Sequence, residues 1–327
     1  FEGDWSFDPA YWDFLWHYLP NWKHLARDWG PGSTKDERKQ RYSMADHGLF
    51  VAGIIQTIAP RADIHLIRVL DECGVGDLSR LVYTLRRLPE ELLSGGNAGK
   101  RLVVNLSLMV DIPNSADLLD LWFPETAKNL DELRERWTDI CAILDAIQTS
   151  LTDVLTWLER EQRVLVVAAA GNDGHEQRRR PAPRLPARHD SVLGVAAVDT
   201  WGVPARFSNR GDMVVFENGV ATLGGDAGRS RPEEKAEIEH QNGRTDAIAG
   251  IFSAKALPVN GGANTTGWVY WAGTSFATPI VSAFAALLLG QPEHRDLPPR
   301  RLMHVIRGYA SNPGGDLDCS TIGVKQI

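Results

Sequence analysis

Apolar residues occur in four short runs along the chain, at residues 64–70, 102–106, 164–169 and 192–198. These runs are rich in Val, Ile, Leu and Ala, and continuous runs of this kind are typical of strands buried on both faces of a parallel sheet. Residues 78–88 and 130–161 lie between the runs and have the apolar spacing of helices. The order strand, helix, strand predicts a doubly wound α/β sheet with helices on both faces. In such a sheet the active site lies outside the carboxyl ends of the strands.

Residues 1–40 differ from the rest of the chain because they contain five of its eleven tryptophans. Trp12, Leu15, Trp16 and Leu19 have helical spacing. This spacing favours a helix packed on the domain. The alternative is a docking element for another polypeptide, because aromatic residues concentrate at the cores of interfaces.

Two insertions interrupt the α/β pattern, near residues 111–139 and 217–265. The first continues into a helical face formed by Leu130, Leu133, Trp137, Ile140, Cys141 and Leu144. This face predicts either a helix buried on the domain or a lid or docking site for a regulatory protein. The second insertion is rich in Gly, Asp, Glu and Arg, which predicts a long flexible loop, either an activation or processing loop or a surface decoration. The 327 residues are predicted to form one domain with these additions.

Composition and charge exclude several classes of protein. A formal net charge of -7 argues against nucleic-acid binding, which depends on clustered Lys and Arg. The longest apolar run, residues 280–289, is too short for a membrane span. Cys73, Cys141 and Cys319 show neither zinc-ligand spacing nor a disulfide framework, so we expect no metal and no other cofactor. An intracellular location is expected because no signal peptide or disulfide framework is visible, while secretion stays open because a processed chain has lost its signal peptide.

Three short patterns contain residues that can carry chemistry. They are His47-Gly48-Leu49-Phe50-Val51-Ala52-Gly53, Val166-Val167-Ala168-Ala169-Ala170-Gly171-Asn172-Asp173-Gly174 and Gly273-Thr274-Ser275-Phe276-Ala277-Thr278-Pro279. Each has an ordinary structural explanation by itself, namely a core histidine, a turn and a helix N-cap. Together, and in this order, they closely resemble the signatures of the subtilase family. Ala277 separates the third pattern from the Gly-x-Ser-x-Gly motif of other hydrolases.

The resemblance implies a serine endopeptidase with Ser275 as nucleophile, His47 as general base and Asn172 as oxyanion donor. A serine hydroxyl needs a base within hydrogen-bond reach, and an imidazole that titrates near 6.5 can accept the proton and return it to the leaving amine. The side-chain amide of Asn172 and the backbone N–H of Ser275, at the positive end of a helix, would meet the negative charge of the tetrahedral intermediate.

Weaker matches extend the resemblance over most of residues 44–290. Residues 105–108 resemble the family's substrate-binding strand, with which the peptide pairs as an added β-strand, and residues 205–211 resemble a Phe-Ser-Asn-x-Gly segment that supports the sheet. The residues implied to contact the substrate are Ser107, Leu108, Met109, Ala170 and Gly171. Met109 stands where the family usually has glycine, so we expect a narrowed or reshaped subsite.

The aspartate of the subtilase triad has no counterpart before His47, where the family has Asp-Ser/Thr-Gly after a buried strand. Asp28-Trp29-Gly30 has the outline of this motif but does not follow an apolar run. Asp46 adjoins the histidine, and adjacent side chains on an extended segment point to opposite faces. We therefore expect another segment to supply the strand and its aspartate, because a sheet without its central strand leaves backbone groups unpaired. The alternatives are an upstream segment, attached or cleaved and still bound, and a separate companion subunit.

A basic run follows Asn172 and contains Arg178, Arg179, Arg180 and Arg184. Residues 185–187, Leu-Pro-Ala, resemble the family segment that follows the floor of the pocket for the residue before the cut. This places Arg184 at that floor and predicts a preference for Asp or Glu before the scissile bond. The alternatives are a solvated loop and an ion pair with Asp173 that neutralises Arg184.

Three functional hypotheses follow from the sequence. The first is an active endopeptidase that acts on a peptide or protein substrate and is completed by the aspartate segment. The second is an inactive scaffold that binds peptides in the same groove. The third is a protease that stays inactive until a partner moves the insertions.

Overall fold

The computed structural model describes residues 46–71, 74–110, 130–174, 180–209, 219–226, 246–252 and 265–311. The backbone separates into two compact units, one formed by Phe1–Lys39 with Asp111–Ser150 and the other by Gln40–Val110 with Leu151–Ile327. All three sequence patterns that can carry chemistry belong to the second unit.

Helix and strand alternate between residues 78 and 169, and four further described strands then precede the last two helices. The helices are α1 (His47–Ile58), α2 (Leu78–Leu92), α3 (Leu130–Arg160), α4 (Thr274–Leu289) and α5 (Pro299–Ser311), and a short 3-10 turn spans Gly95–Asn97. The strands are β1 (Leu102–Leu106), β2 (Val164–Ala169), β3 (Val192–Val198), β4 (Gly219–Leu223), β5 (Ile248–Ile251) and β6 (Trp268–Trp271).

The main sheet contains four parallel strands in the order β1-β2-β3-β4. Every residue of β2 and β3 is buried, because each of these strands has a neighbour on both sides and apolar packing on both faces. One face packs against α4 and α5. The other packs against α2 and residues 151–158 of α3. The prediction of a parallel α/β sheet with helices on both faces is confirmed.

A second, antiparallel sheet of β5 and β6 packs against α1. Phe50 of α1, Trp271 of β6 and Phe276 of α4 meet in one aromatic cluster, with ring centroids 4.6 to 5.8 Å apart. This cluster brings the start of α1 close to the start of α4.

Two predictions from the sequence are wrong in the described residues. Residues 64–70 form no strand, and their apolar run is interrupted by His65 and Arg68. The segment 217–265 is not one long loop, because it contains β4 and β5. Both strands are short, and the surrounding Gly and charged residues conceal them in the sequence pattern.

Some sequence predictions lie outside the described residues. These are the tryptophan-rich segment 1–40, residues 111–129 of the first insertion, and both Arg178 and Arg179. The helical spacing that starts at Leu130 is confirmed by α3. In the part of the chain that the structure describes, no helix has the length and apolar character needed to cross a membrane.

The packing of the second sheet on α1 gives a prediction for stability. A Cβ atom on Gly250 of β5 would lie 2.6 Å from two ring atoms of Phe50, which is fully buried. We expect Gly250→Ala to lower the free energy of unfolding by about 1 to 3 kcal/mol, because the ring cannot move without disturbing its neighbours. Denaturant unfolding measures this change.

Gly308→Ala is the matched control, because Gly308 is an exposed residue of α5 and a Cβ atom there would meet nothing within 4 Å. This change should raise the free energy of unfolding by about 0.5 to 1 kcal/mol through helix propensity. Equal effects of the two substitutions would contradict the packing argument.

Candidate active site

The carboxyl ends of β1 and β2 lie beside the amino end of α4. Because β1 and β2 are parallel and adjacent, Ser107 and Asn172, which follow them, come to the same edge of the sheet. α4 begins at Thr274, after the N-cap residue Gly273. The sequence of α4 is apolar on all sides, and residues 276–285 are all buried. Ser275 is only partly buried and faces this edge.

Asn172 is fixed to the start of α4 by two hydrogen bonds. Its Oδ1 accepts from the backbone N–H of Thr274 at 3.0 Å and from Thr274 Oγ1 at 2.8 Å. Thr274 Oγ1 in turn accepts from the N–H of Gly171 at 3.2 Å. These bonds use only the oxygen of the Asn172 amide, so its two N–H donors are not needed to hold the side chain. Asn172 is exposed to solvent.

The backbone N–H of Ser275 is a second donor at this site. It belongs to the first turn of α4, where N–H groups have no intrahelical acceptor, and no acceptor for it occurs among the described residues. Among the described residues, neither the N–H of Ser275 nor the Nδ2 group of Asn172 has a hydrogen-bond acceptor. Two donors at a helix amino end form the arrangement that stabilises an oxyanion.

Ser275 and Ser107 are hydrogen-bonded to each other in both directions. Ser107 Oγ donates to the carbonyl oxygen of Ser275 at 2.7 Å, and Ser275 Oγ donates to the carbonyl oxygen of Ser107 at 3.4 Å. The Ser275 carbonyl is available because residue 279 is a proline, which has no N–H to occupy it in the helix. The segment after β1 is thus tied directly to the residue that carries the candidate nucleophile.

His47 is the first residue of α1, and its ring contacts two aromatic rings of the neighbouring elements. The ring centroid lies 5.6 Å from that of Trp271 and 5.4 Å from that of Phe276, the residue after Ser275. Burial lowers the pKa of His47 from 6.5 to about 4. The imidazole is therefore neutral at pH 7, as a general base must be.

The described residues do not complete a triad around His47. No hydrogen bond joins its ring to Ser275, whose hydroxyl donates to Ser107 instead, and none joins it to a carboxylate of the described segments. Asp46 precedes it and is buried, and its carbonyl oxygen accepts from the N–H of Phe50. The structure thus brings His47, Asn172 and Ser275 to one edge of the sheet, and within the described segments no aspartate is hydrogen-bonded to the histidine ring.

The implied substrate-binding residues line this edge. Ser107 and Leu108 are partly buried, and Met109 is 44% exposed. Ala170 and Gly171 are buried at the end of β2, and Gly171 has a φ of +112°, which only glycine adopts readily.

Arg184 lies between the diverging ends of β1 and β2. Its backbone N–H donates to the carbonyl oxygen of Ala170 at 2.9 Å, while the carbonyl oxygen of the next residue, Leu185, accepts from the N–H of Val110 at 2.8 Å. Residues 184 and 185 are therefore hydrogen-bonded to the chain that follows β2 and to the chain that follows β1. The position of Arg184 at the floor of a substrate pocket stays a prediction.

The guanidinium of Arg184 forms a two-point ion pair with Asp173. Nε and Nη2 lie 2.7 and 3.0 Å from the two carboxylate oxygens. Burial by itself would raise the pKa of Asp173, but hydrogen bonds from Arg184 and Asn209 and the charge of Arg184 hold it below its usual value. The pair is therefore ionised at neutral pH, and it is the alternative that the sequence analysis left open for Arg184.

Sequence reasoning missed three residues that hold this site together. Thr274 anchors Asn172, and Asn209 donates to Asp173 Oδ2 at 2.6 Å and accepts from the N–H of Asp173 at 2.7 Å. Asn105 bonds to Ser107, as described below. Thr274 and Asn209 lie inside segments that the sequence analysis quoted, but their roles depend on contacts between distant segments. In the described residues no group of three or more His, Cys, Asp or Glu could hold a metal ion.

Comparison with known proteins gives a consistent family. The model of the subtilase family matches residues 17–319. Mycosin-1 of Mycobacterium tuberculosis is 30% identical over 171 residues, which are 52% of this chain and 36% of that protein. The minor extracellular protease Epr of Bacillus subtilis is 30% identical over 179 residues, 52% of this chain and 20% of that protein.

A solved structure supports the same fold. The patellamide maturation protease PatA is similar with a TM-score of 0.50 at 25% identity, over 85% of this chain and 78% of that chain. The matched part of each curated relative is only about a third of its length or less.

The environment of His47 gives a prediction for its titration. In residues 1–327 we expect the His47 ring to titrate near pH 4, about two units below an exposed histidine, because burial penalises the imidazolium form. The ring should therefore stay neutral from pH 7 down to about pH 5. NMR titration of the histidine ring signals measures this, and the spectrum of His47→Gln identifies the signal. A midpoint at 6.5 or above would show that a charged partner stabilises the ring.

Proposed function

The chain belongs to the subtilase family, and we propose that it is a serine endopeptidase in which Ser275 attacks the peptide bond, His47 is the general base and Asn172 binds the oxyanion. The observation that carries this proposal is the pair of open donors beside Ser275. Asn172 is held by its oxygen to Thr274, the residue before Ser275, so its amide N–H groups stay available for a substrate oxygen beside the Ser275 N–H. A surface serine at an ordinary helix start has no need of a second, anchored donor.

The reaction divides between these residues in a definite order. His47, neutral at pH 7, accepts the proton of Ser275 Oγ as this oxygen bonds to the substrate carbonyl carbon. Asn172 and the Ser275 N–H donate to the carbonyl oxygen as it becomes negative. His47 then returns the proton to the leaving amine, and water releases the acyl group by the same path in reverse. The substrate strand lies along Ser107, Leu108 and Met109, and the exposed Met109 side chain restricts one subsite.

We further propose that the orienting aspartate is supplied by an upstream segment or a separate subunit that adds a strand beside β1. Among the described strands, β1 has only one neighbour, and its residues are less buried than those of β2. Residues 64–70 run nearby without strand pairing, and Leu66 and Ile67 are 63% and 44% exposed. An inserted strand would cover these apolar residues. It would also raise the pKa of His47 by placing a negative charge beside the ring.

A specific observation favours a second candidate function, an inactive peptide-binding scaffold. The hydroxyl of Ser275 donates to Ser107 rather than to His47, and His47 has no carboxylate partner in the described segments. In the endopeptidase this is the state before the aspartate segment and the substrate are bound. In the scaffold it would persist after both are bound.

The name of one structural neighbour, a maturation protease, supports a role in processing other polypeptides rather than in general digestion. The first insertion is the element that we propose as the docking site for a regulatory protein. In its described part, which belongs to α3, Trp137 is 42% exposed.

Labelling with a fluorophosphonate probe, followed by intact-mass analysis, tests the endopeptidase. The chain extended upstream through its own coding sequence should be labelled on Ser275, and Ser275→Ala should not be labelled. Asn172→Ala should reduce the labelling rate about 100 to 1000-fold, the cost of one oxyanion donor in subtilisin. Residues 1–327 without the upstream segment should react about 10,000-fold more slowly, as trypsin does without its aspartate.

The matched control is the extended chain with the upstream triad aspartate changed to asparagine. This variant fills the gap beside β1 without the charge, so it separates loss of catalysis from loss of folding. The scaffold would be established instead if the probe labels neither the correctly folded extended chain nor that chain purified together with any companion subunit it binds. Full activity of residues 1–327 alone would overturn the proposal of a supplied aspartate.

The ion pair at the pocket floor leads to a prediction for specificity. In the wild type Arg184 forms its ion pair with Asp173, which neutralises its charge. We therefore expect little preference for Asp or Glu before the scissile bond. Asp173→Asn removes the carboxylate and should raise cleavage after acidic residues about tenfold or more, because Arg184 can then pair with the substrate. Peptide-library profiling measures the preference.

Asp173→Asn combined with Arg184→Ala is the control, and it should lose the acidic preference again. An unchanged library profile in Asp173→Asn would show that Arg184 does not face the substrate side chain.

A further inference from the structure

A chain of three hydrogen bonds connects the middle of β1 to two positions on α4. Ser282 Oγ donates to Asn105 Oδ1 at 2.8 Å, and Asn105 Nδ2 donates to Ser107 Oγ at 2.9 Å. Ser107 Oγ donates to the carbonyl oxygen of Ser275 at 2.7 Å. Ser275 and Ser282 are seven residues apart on α4, so they lie on one face of the helix, two turns from each other. The amide of Asn105 therefore bridges two points on this face.

The direction of the donors along this chain is determined by Asn105. An amide has one acceptor side and one donor side, so Asn105 can accept from Ser282 and donate to Ser107 at the same time. Ser107 accepts from Asn105 and therefore uses its single hydroxyl proton for the Ser275 carbonyl. That carbonyl has no helical donor because residue 279 is proline. The hydrogen bond from Asn105 thus favours the hydrogen bond that Ser107 donates to the Ser275 carbonyl.

The position of Asn105 in the sheet leaves it only this face. Val104 and Leu106 pack on the side of α2 and α3, while Val103 packs on the side of α4. Side chains alternate along a strand, so Asn105 points with Val103 toward α4. An amide in an otherwise apolar layer is costly unless each of its groups is bonded, and here the oxygen and the nitrogen are both bonded to serines of the site.

We propose that Asn105 is a positioning residue of the active site, which sets the distance between the substrate strand at Ser107 and the nucleophile Ser275. The proposal rests on the proposed endopeptidase function and adds to it a residue that touches neither substrate nor reacting atoms. Ser282 is hydrogen-bonded to the oxygen of the Asn105 amide, and Ser107 connects the nitrogen of that amide to the carbonyl of Ser275 in α4. A shift of Ser107 relative to Ser275 would misplace the peptide carbonyl from the Asn172 donor, and small displacements of this kind reduce the rate strongly.

The test compares Asn105→Asp with the wild type in the extended, aspartate-containing protein. The substitution has the same shape but replaces the donor side of the amide by an acceptor. Ser282 and Ser107 would both donate to the carboxylate, and Ser107 could no longer donate to the Ser275 carbonyl. We expect kcat on a peptide substrate and the fluorophosphonate labelling rate to fall roughly tenfold or more, with KM changed by less than about twofold.

The pH dependence of the variant gives a readout that loss of stability would not produce. A protonated carboxyl group has an O–H that can donate to Ser107 again. The labelling rate of Asn105→Asp, divided by that of the wild type at the same pH, should therefore rise as the pH falls through the pKa of the new carboxyl. α4 and β2, the described elements packed against β1 on this face, contain no charged or titratable side chain. Division by the wild-type rate cancels the titration of His47.

Ser282→Ala and Ser191→Ala form a matched pair of controls. Both substitutions remove a buried serine hydroxyl. Ser191 directly precedes β3, away from the site, and its hydroxyl is hydrogen-bonded to His189 and to the carbonyl oxygen of Leu155. We expect Ser282→Ala to lower kcat severalfold and Ser191→Ala to leave it unchanged, while unfolding midpoints fall in both.

The outcomes separate this proposal from the proposed function. If the wild type is labelled while Asn105→Asp keeps its kcat, or if the variant shows no recovery at low pH, Asn105 is not a positioning residue and the endopeptidase stands. If the wild type is not labelled, both proposals are overturned.

Discussion

The position of Ser275 depends on the burial of helix α4. Residues 276–285 are all buried between the parallel sheet and the second sheet, so the helix cannot slide or rotate without opening the core. The partly buried first turn is then fixed relative to the strand ends. Thr274 uses this rigidity to hold Asn172 through two hydrogen bonds. The proposed oxyanion donors are therefore positioned by the core of the domain.

The same rigidity explains why His47 is sensitive to what lies beside it. Its ring is held by Trp271 and Phe276, which belong to the aromatic cluster between α1, β6 and α4. An apolar cluster positions a ring but disfavours its charged form, and the pKa of His47 falls to about 4. A base of such low pKa takes a proton from serine poorly. A carboxylate beside the ring would raise this pKa without moving the ring, so the proposed aspartate segment would have an electrostatic role as well as a structural one.

Sequence patterns predicted the buried strands of this structure well and the contacts between distant segments poorly. The strands β1, β2 and β3 coincide with apolar runs, and His47, Asn172 and Ser275 lie in short motifs that resemble a family. The run at 64–70 does not form a strand because a strand also needs a partner, which a sequence pattern does not show. The roles of Asn105, Thr274 and Asn209 depend on hydrogen bonds between segments more than 30 residues apart. Short local patterns contain no signal for contacts of this kind.

The ion pair beside Asn172 connects specificity with the chemistry of the oxyanion. Asp173 directly follows Asn172, the proposed oxyanion donor, and an unpaired carboxylate there would oppose the negative charge that develops on the substrate oxygen. Arg184 contacts both of its oxygens, and Asn209 donates to one of them, so the local charge is close to neutral. Asn209 also anchors the backbone on both sides of Asn172. Its side-chain oxygen accepts from the N–H of Asp173, and its own N–H donates to the carbonyl oxygen of Gly171. In the proposed endopeptidase, Arg184 would therefore support the oxyanion site by neutralising Asp173, whichever substrate side chain is bound.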